Sequence, residues 1–366
     1  MSLKTALCHD WLNGMRGGEK CLEVLCEIFP EAPVHALFYE KGKVSSVIGG
    51  HPIKTSFVQR LPGVFGRYRF YLPLFPSAAE SFDLRGYDLV ISTSHCVAKG
   101  VRKPESATHI CYCFTPVRYA WGFFDEYFGR QGFVGRAVIG HFIDRLRRWD
   151  RAASSRVDHF VAISRHVAER VRRCYGREAE VVYPPVDVRF YTPGENGKRG
   201  DFYLVVSALV PYKRVDLAIE TFNRSGRKLV VIGDGPEKAR LRALAGPGVR
   251  FLGWQSDEAL KEYYRSARAL VFPGEEDFGI VPVEAQACGL SVVAFGRGGA
   301  LETVDPGKTG VFFDDATPES LEDAIQRLEV LNLLPEDARA NALRFGRDRF
   351  KSEMLALIEK KTGRKL

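Results

Sequence analysis

"EEDFGIVPVEAQACG", residues 275–289, places two carboxylates, Glu276 and Glu284, around a turn. The apolar run "RALVFPG" (268–274) stands directly before it and predicts a buried strand. Pro282 suits the first position of a following helix, where its missing N–H is not needed. The stretch therefore predicts a strand, a short loop and a helix, which is the repeating unit of a parallel α/β sheet.

The start of that predicted helix is suited to an anion. The N–H groups of Gly279, Ile280 and Val281 would point out of the helix, and the helix dipole adds positive potential there. Glu284, expected in the first turn, would either complement this dipole or hydrogen-bond the hydroxyl pair of a ribose. Glu276, on the loop, could reach a sugar. These features predict a diphosphate site.

Strands and helices alternate along both halves of the 366-residue chain, which predicts mostly parallel sheets covered on both faces. Runs predicted as buried strands lie at 4–11, 88–94, 108–114, 202–209, 228–236, 249–254, 269–274 and 291–295. The polar segment "YTPGENGKRGD" (191–201) is rich in glycine and is predicted as an interdomain linker. Ligands of such sheets bind beyond the carboxyl ends of the strands.

The net charge of +8 arises entirely in the first half. Residues 1–190 hold 27 Lys and Arg against 19 Asp and Glu, whereas residues 191–366 hold 26 of each. This asymmetry favours an anionic partner or a membrane surface, although solubility alone would also explain it. Basic and aromatic residues cluster at 65–75 and 144–156, a composition suited to lipid headgroups. No nucleic-acid-binding module is recognised, so no nucleic-acid partner is expected.

Several other classes of protein are excluded. The eight cysteines contain no Cys-x-x-Cys pair, which argues against zinc-ribbon and thioredoxin sites and favours buried thiols in a reducing compartment. No apolar run is long enough for a transmembrane helix, and "MSLKTALCHDWL" is too polar for a signal peptide. The triplet at 277–279, Asp-Phe-Gly, lacks the companion motifs of kinases. A cytoplasmic protein is expected.

The Glu-x7-Glu pattern of Glu276 and Glu284, continued through "GLSVVAFGRGGALETVDPGKTGVFF", resembles the signature of retaining, group 1 glycosyltransferases of family 4. This resemblance implies the GT-B fold, with two Rossmann-like α/β domains whose parallel sheets face across a cleft. Residues 1–190 would bind the acceptor and residues 200–345 the nucleotide sugar. Residues 346–366 would form a helix that packs back on the first domain.

The family pattern also implies roles on the donor side. Glu284 would bind the ribose and Glu276 the donor sugar, with Glu276 and Lys213 as the catalytic pair and Lys213 cradling the diphosphate. Phe278 and the helix start would bind the donor, as would the glycines of "GRGGALE". The donor-binding set comprises Glu284, Phe278, Gly279, Ile280, Val281, Arg214, Gly298, Gly299, Gly17 and Gly18. Ala208 stands where many members carry an arginine, and Arg214, next to Lys213, is the candidate substitute.

The segment "HICYCFTPVRYAWGFFDEYF" (109–128) is similar to bacterial polysaccharide mannosyltransferases of this family, but Phe114 replaces their histidine. Arg118, Tyr119 and Trp121 remain as acceptor or sugar contacts. His95, in "STSHCVAKGV", is the alternative polar candidate.

The resemblance predicts a retaining hexosyltransferase that moves mannose from GDP-mannose to a lipid-linked or saccharide acceptor in cell-surface polysaccharide synthesis. It implies no cofactor and no metal, and a basic first domain on the inner face of the cytoplasmic membrane. The alternatives are a UDP-sugar-dependent transferase, a phosphorylase or sugar-phosphate synthase of the same fold, and a non-catalytic nucleotide-sugar-binding subunit. The sequence leaves open the base, the sugar, the acceptor, the linkage and the oligomeric state.

Overall fold

The computed structural model describes residues 3–122, 133–194 and 199–365. The chain forms two compact units, one made of Met1–Pro185 with Asp348–Leu366 and the other of Val186–Arg347. Each unit is an α/β layer structure built on one parallel sheet. The predicted fold class, two α/β domains with parallel sheets, is confirmed.

The first sheet has seven strands in the order β3-β2-β1-β4-β5-β6-β7. Their bounds are β1 Thr5–His9, β2 Val34–Ala36, β3 Ile53–Thr55, β4 Leu89–Ser94, β5 Thr108–Cys113, β6 His159–Ala162 and β7 Ala179–Val181. The central strands β1 and β4 are buried along their whole length, as expected for strands covered on both faces. The strands β1 and β4 are neighbours in the sheet although they are not consecutive in the chain.

The helices of the first unit are α1 Gly17–Ile28, α2 Ser46–Gly49, α3 Val64–Arg67, α4 Phe75–Glu80, α5 Phe133–Ser154 and α6 Arg165–Tyr175. The helix α1 begins where Glu19, its third residue, accepts the N–H of Arg16 at 3.0 Å. Its buried face carries Leu22 and Leu25 at helical spacing. No helix in the described ranges is long and apolar enough to cross a membrane.

The second sheet has six strands in the order β10-β9-β8-β11-β12-β13. They are β8 Phe202–Val206, β9 Lys228–Ile232, β10 Val249–Gly253, β11 Leu270–Phe272, β12 Val292–Phe295 and β13 Gly310–Phe313. The helices are α7 Val215–Ser225, α8 Lys238–Leu244, α9 Asp257–Ser266, α10 Ile280–Ala287, α11 Ala300–Thr303, α12 Pro318–Val330 and α13 Pro335–Leu343. In this sheet β8 and β11 are the neighbouring strands that are not consecutive in the chain.

The predicted linker, 191–201, includes residues 195–198, which lie outside the described residues. The predicted domain boundary at residue 190 falls inside the second unit. Arg339 fixes this stretch to α13 by donating hydrogen bonds to the carbonyls of Val188 and Tyr191 at 2.8 and 2.6 Å.

The last helix, α14 Arg347–Thr362, belongs to the first unit from residue 348 onward. The ring of Phe350 packs edge-on against Tyr112 of β5, with ring centroids 5.5 Å apart. Lys361 pairs with Glu180 of β7 at 2.5 Å. The C-terminal residues thus complete the core of the unit in which the chain begins.

Candidate functional site

The carboxyl ends of β8 and β11 form the switch point of the second sheet. The two strands are adjacent, yet the chain leaves β8 toward β9 and leaves β11 toward β12, on opposite sides. Diverging connections of this kind open a crevice in which α/β proteins bind ligands. Lys213 lies on the loop after β8 and Glu276 on the loop after β11, so the topology brings these two predicted residues together.

Lys213 and Glu276 form an ion pair between the Lys213 ammonium and the Glu276 carboxylate, with side chains that are 14% and 18% exposed. Gly274 makes this possible. A Cβ on Gly274 would lie 2.8 Å from the Cα of Lys213 and 2.8 Å from the Tyr212 carbonyl oxygen, closer than real side chains come. The absence of a side chain at residue 274 therefore lets the Lys213 turn pack against the end of β11.

Two further glycines hold the Glu276 loop. The N–H of Gly299 donates to the Glu276 carbonyl at 2.7 Å. A Cβ on Gly299 would lie 2.6 Å from the Phe278 carbonyl carbon, and Gly298 has a left-handed φ of 64°. The structure thus packs these glycines, predicted as hexose contacts, against the backbone of the loop, where they set the position of Glu276.

The helix α10 begins earlier than predicted. Gly279, with φ 98°, caps it and Ile280 is its first residue, so Pro282 is third rather than first. Glu284 is then the fifth residue and lies beyond the first turn. The N–H groups of Ile280 and Val281 precede the first intrahelical bond, so the helix itself gives them no partner.

Glu284 is 5% exposed and accepts a hydrogen bond from the Tyr264 hydroxyl at 3.1 Å. Burial raises the pKa of Tyr264 well above its usual value and the nearby Glu284 raises it further, so the hydroxyl keeps its proton and remains a donor. The ring of Tyr191 packs edge-on against Tyr264, with centroids 5.8 Å apart. The sequence did not point to Tyr264, because an aromatic residue on the apolar face of an amphipathic helix is expected to be a core residue.

Arg214, the candidate substitute for the missing arginine, has a left-handed backbone with φ 51°. It ends the turn at 211–213 and caps α7. Its guanidinium lies 3.5 Å from the carboxylate of Asp216 and is 41% exposed. The structure therefore places its charge beside an acid on its own helix, while Ala208 is exposed.

The first sheet repeats the arrangement at β1 and β4. Asp10 directly follows β1, and His95 directly follows β4. The buried Asp10 carboxylate accepts the backbone N–H groups of residues 95–98 at 2.7–2.9 Å and lies 3.1 Å from His95 Nδ1. Burial alone would raise the pKa of Asp10, but its interactions with His95 outweigh burial and hold that pKa well below the usual range. The signal that sequence reasoning overlooked is an acid placed directly after a buried strand.

His95 is held in place while remaining accessible, with 38% of its side chain exposed. The ring of Trp11 meets it edge-on at a centroid distance of 4.6 Å. Phe114, which replaces the family histidine, lies 6.4 Å from the His95 ring. A Cβ on Gly18 would approach Phe114 to 3.2 Å, so the predicted glycine pair Gly17 and Gly18 lies at this same edge of the sheet.

Of the three predicted acceptor contacts after β5, Trp121 binds a buried acid. Trp121 Nε1 donates to the carboxylate of Asp150 at 2.7 Å. The Asp150 carboxylate is fully buried and also pairs with Lys99. The Tyr119 hydroxyl lies 3.0 Å from Cys96 Sγ, and Arg118 begins the short helical turn at 118–120. The polar atoms of Trp121 and Tyr119 thus have partners inside the first unit.

The two basic and aromatic segments differ in exposure. In the first, Phe65 is 39% and Phe70 81% exposed. In the second, Arg156 binds Glu80 at 2.7 Å and Arg147 donates to the Ala120 carbonyl at 2.6 Å, so part of its positive charge is used internally. Within the described parts of the chain, no group of three or more His, Cys, Asp or Glu side chains is placed to hold a metal ion.

Comparison with known families finds a match in the second unit. Residues 193–345 match the family model of group 1 glycosyl transferases. The D-inositol 3-phosphate glycosyltransferase of Acidothermus cellulolyticus is 32% identical over 269 residues, which are 62% of this chain and 58% of that protein. An uncharacterized glycosyltransferase of Methanocaldococcus jannaschii is 28% identical over 51% of this chain and 53% of its own. The chain spans about half the length of the curated relatives it matches.

Solved structures match the whole chain in fold. The sucrose-phosphate synthase of Thermosynechococcus elongatus has a TM-score of 0.74 at 17% identity, covering 98% of this chain and 99% of the other. Anabaena HepE, solved in complex with UDP-glucose, has a TM-score of 0.72 at 17% identity, covering 97% and 99%. The fold is that of GT-B glycosyltransferases, and the group 1 match lies on the unit that carries Lys213 and Glu276.

Proposed function

We propose that this protein is a retaining glycosyltransferase that moves a hexose from a nucleotide sugar to an acceptor hydroxyl. The observation that carries the proposal is the convergence of Lys213 and Glu276 at the switch point of the second sheet, within the range that matches group 1 glycosyl transferases. In the transfer, the bond from the sugar C1 to the diphosphate oxygen breaks and a bond from the acceptor oxygen forms on the same face. The hydroxyl proton leaves with the diphosphate.

The second unit supplies what a departing diphosphate needs. Negative charge grows on the phosphate oxygens as the bond breaks, and fixed positive groups at that point lower the barrier. Lys213 is a partly buried cation on the loop after β8. The N–H groups of Ile280 and Val281 begin α10, which follows the Glu276 loop. Glu276 forms an ion pair with Lys213. We propose that the diphosphate takes over Lys213 and leaves Glu276 to orient the sugar.

Glu284 would bind the ribose. Its carboxylate is buried and accepts a hydrogen bond from Tyr264, so its orientation is fixed. A ribose carries two adjacent hydroxyl donors, which match a carboxylate that accepts more than one hydrogen bond. Pre-orientation of this kind lowers the entropic cost of binding.

On the acceptor side we propose that His95, oriented by Asp10, contacts the acceptor or the sugar. The Nδ1 atom faces Asp10, which leaves Nε2 for a ligand hydroxyl. Phe114 cannot make such a bond, so in this proposal His95 takes the polar role that the family resemblance implies for the replaced histidine.

The donor is proposed to be GDP-mannose, because the segment 109–128 is similar to bacterial polysaccharide mannosyltransferases. A UDP-sugar is the second candidate, since HepE, which shares the fold, was solved with UDP-glucose. We propose a lipid-linked or saccharide acceptor, reached at the inner membrane surface through the basic first unit, where exposed Phe70 accompanies arginines. No metal or other cofactor is required in this proposal.

The test is a donor panel of GDP-mannose, UDP-glucose, UDP-galactose and UDP-N-acetylglucosamine, with melting temperature and slow nucleotide release as readouts. One donor should raise the melting temperature, as expected for a ligand that binds only the folded state. Glu284→Gln should abolish that rise, and Glu336→Gln, an exposed glutamate in the first turn of α13, should keep it. A rise in melting temperature without nucleotide release would favour the non-catalytic nucleotide-sugar-binding subunit, and no response to any of the four donors would count against the proposal.

A further inference from the structure

Residues 41–79 form a stretch of the first unit that contains no acidic residue. It carries six basic residues, which supply most of the chain's net charge of +8. These are Lys41, Lys43, Lys54, Arg60, Arg67 and Arg69. The next acid along the chain, Glu80, already pairs with Arg102 and Arg156. A positive stretch of this length without acids is suited to an anionic surface.

The middle of this stretch, residues 57–74, folds as three short helical turns. They span Phe57–Arg60, Val64–Arg67 and Tyr68–Leu74. Val58 and Val64 are buried and hold the first two turns to the core of the unit. The Tyr71 hydroxyl donates to the Pro62 carbonyl at 2.7 Å, which ties the third turn to the loop before α3. The outward side chains of the segment are therefore carried on folded backbone.

Exposed apolar side chains concentrate in the same segment. Among the described residues, all three exposed phenylalanines, Phe57, Phe65 and Phe70, lie here, and the side chain of Phe70 is 81% exposed. Leu74 adds an exposed aliphatic side chain. Single exposed apolar residues are common, but four of them within 18 residues of chain indicate an interaction surface.

The segment is continuous with the proposed acceptor contact. It follows β3, which runs parallel to β1 and β4, so it starts at the edge of the sheet that carries Asp10 and His95. The ring of Tyr68 lies 5.2 Å from that of Trp11, measured between centroids, and Trp11 in turn packs against His95. One side chain thus separates the segment from His95.

We propose that residues 57–74 insert shallowly into an anionic lipid bilayer, with Phe70 at the acyl boundary and Arg67 and Arg69 at the headgroup phosphates. Arginine can bury its apolar stem while its guanidinium stays with the phosphates, and phenylalanine rings partition into the boundary. Exposed Leu74 favours lipid over nucleic acid, because an aliphatic side chain offers no ring for a base to stack on. The inference rests on the proposed function for its consequence, that a lipid-linked acceptor would be presented beside His95.

The test is sedimentation of the full chain with phosphatidylcholine vesicles that either contain or lack phosphatidylglycerol. Binding should require the anionic lipid and should fall as salt screens the charges. Phe70→Ser should weaken binding about tenfold, through lost burial of the ring. Arg69→Gln should weaken it about fivefold, the effect of one cation near an anionic surface. Val330→Ser and Arg250→Gln, matched changes at exposed residues of the second unit, should bind like the parent.

Insertion is separated from adsorption by fluorescence. In anionic vesicles that contain brominated phosphatidylcholine, Phe70→Trp should be quenched beyond the level of the parent with its four tryptophans, and Val330→Trp should not. If Phe70→Trp is not quenched, or if Phe70→Ser binds vesicles like the parent, the proposal is wrong.

Other occupants of the surface give different results. Conversion of a dimer to a monomer by Phe70→Ser in sedimentation velocity, with vesicle binding unchanged, would overturn the proposal in favour of a second copy of the chain. Binding of a single-stranded oligonucleotide but not of vesicles would overturn it in favour of nucleic acid. Vesicle binding is measured without nucleotide sugar, and the donor panel without lipid. Failure of one proposal is therefore distinguishable from failure of the other.

Discussion

Gly274→Ala should slow sugar transfer by displacing Lys213, although Lys213 itself is unchanged. The added Cβ would lie 2.8 Å from the Lys213 Cα and from the Tyr212 carbonyl oxygen, whereas ordinary contact begins near 3.4 Å. Both neighbours are backbone atoms and cannot rotate away, so the turn at 211–213 must shift by roughly half an ångström or more. Residue 274 does not have a positive φ, so alanine adds no backbone strain of its own.

The shift moves Lys213 away from Glu276 and from the proposed diphosphate. Because a misplacement of about 1 Å costs about 100-fold in rate, we expect roughly a tenfold loss in kcat/KM for the donor that the panel identifies. Overpacking should also lower the free energy of unfolding by about 1–3 kcal/mol, which is a decrease of a few degrees in melting temperature. The control is Gly194→Ala, whose Cβ would lie at an ordinary contact distance, 3.5 Å, from the nearest described side chain, that of Arg265.

A double-mutant cycle can separate displacement of Lys213 from a general disturbance of the fold. If Gly274→Ala acts through Lys213, it should cost little additional activity in a protein that already carries Lys213→Ala. The assay is initial-rate nucleotide release for all four proteins, with folding checked by circular dichroism. An equal loss in both backgrounds would refute the argument, as would full activity of the single variant.

Three further outcomes follow from the same contacts. Lys213→Ala should lower kcat by about 100-fold or more with a smaller change in donor affinity, measured by steady-state kinetics, because charge stabilisation is greatest as the diphosphate departs. Tyr264→Phe should weaken donor binding several-fold in calorimetry, since it frees Glu284 from a hydrogen bond worth about 1 kcal/mol. Asp10 has a lowered pKa in the folded state, so its contribution to stability is present above pH ~4 and lost as pH falls further. Asp10→Asn should therefore be less stable than the parent at pH 7, and urea unfolding should show this difference shrinking below pH ~4.

The alternation of strands and helices in the sequence was sufficient to predict two parallel α/β sheets, because strands covered on both faces read as short, nearly continuous apolar runs. The start of α10 was misplaced by two residues. A proline suits the first helical position, but its missing N–H is equally harmless at the third, where no intrahelical bond is due. The left-handed Gly279 determined the start, and sequence alone does not give a φ value.

The predicted site residues illustrate a second limit. Glycines at 298 and 299 indicate that something approaches the backbone closely, but not whether it is a ligand or another stretch of chain. The structure shows that another stretch does, the Phe278 loop. Trp121 is predicted to contact the acceptor or the sugar, and the sequence gives no sign that its indole N–H binds Asp150, which lies 29 residues further along the chain. Contacts of this range depend on packing and leave no local pattern.

The switch points of the two sheets, at β1 and β4 and at β8 and β11, have the same topology but carry different side chains. In the second unit the residues after β8 and β11 are a lysine and a glutamate in a partly exposed ion pair. In the proposed reaction an incoming diphosphate would displace the glutamate, because it would offer Lys213 more negative charge. In the first unit the acid after β1 is fully buried and held by four backbone N–H groups, so no ligand can displace it. Asp10 can only orient His95, whose exposed edge suits a neutral hydroxyl. Lys213 can exchange its partner, whereas His95 is held in one orientation. We expect this difference if a charged donor binds at the second sheet and an uncharged nucleophile at the first.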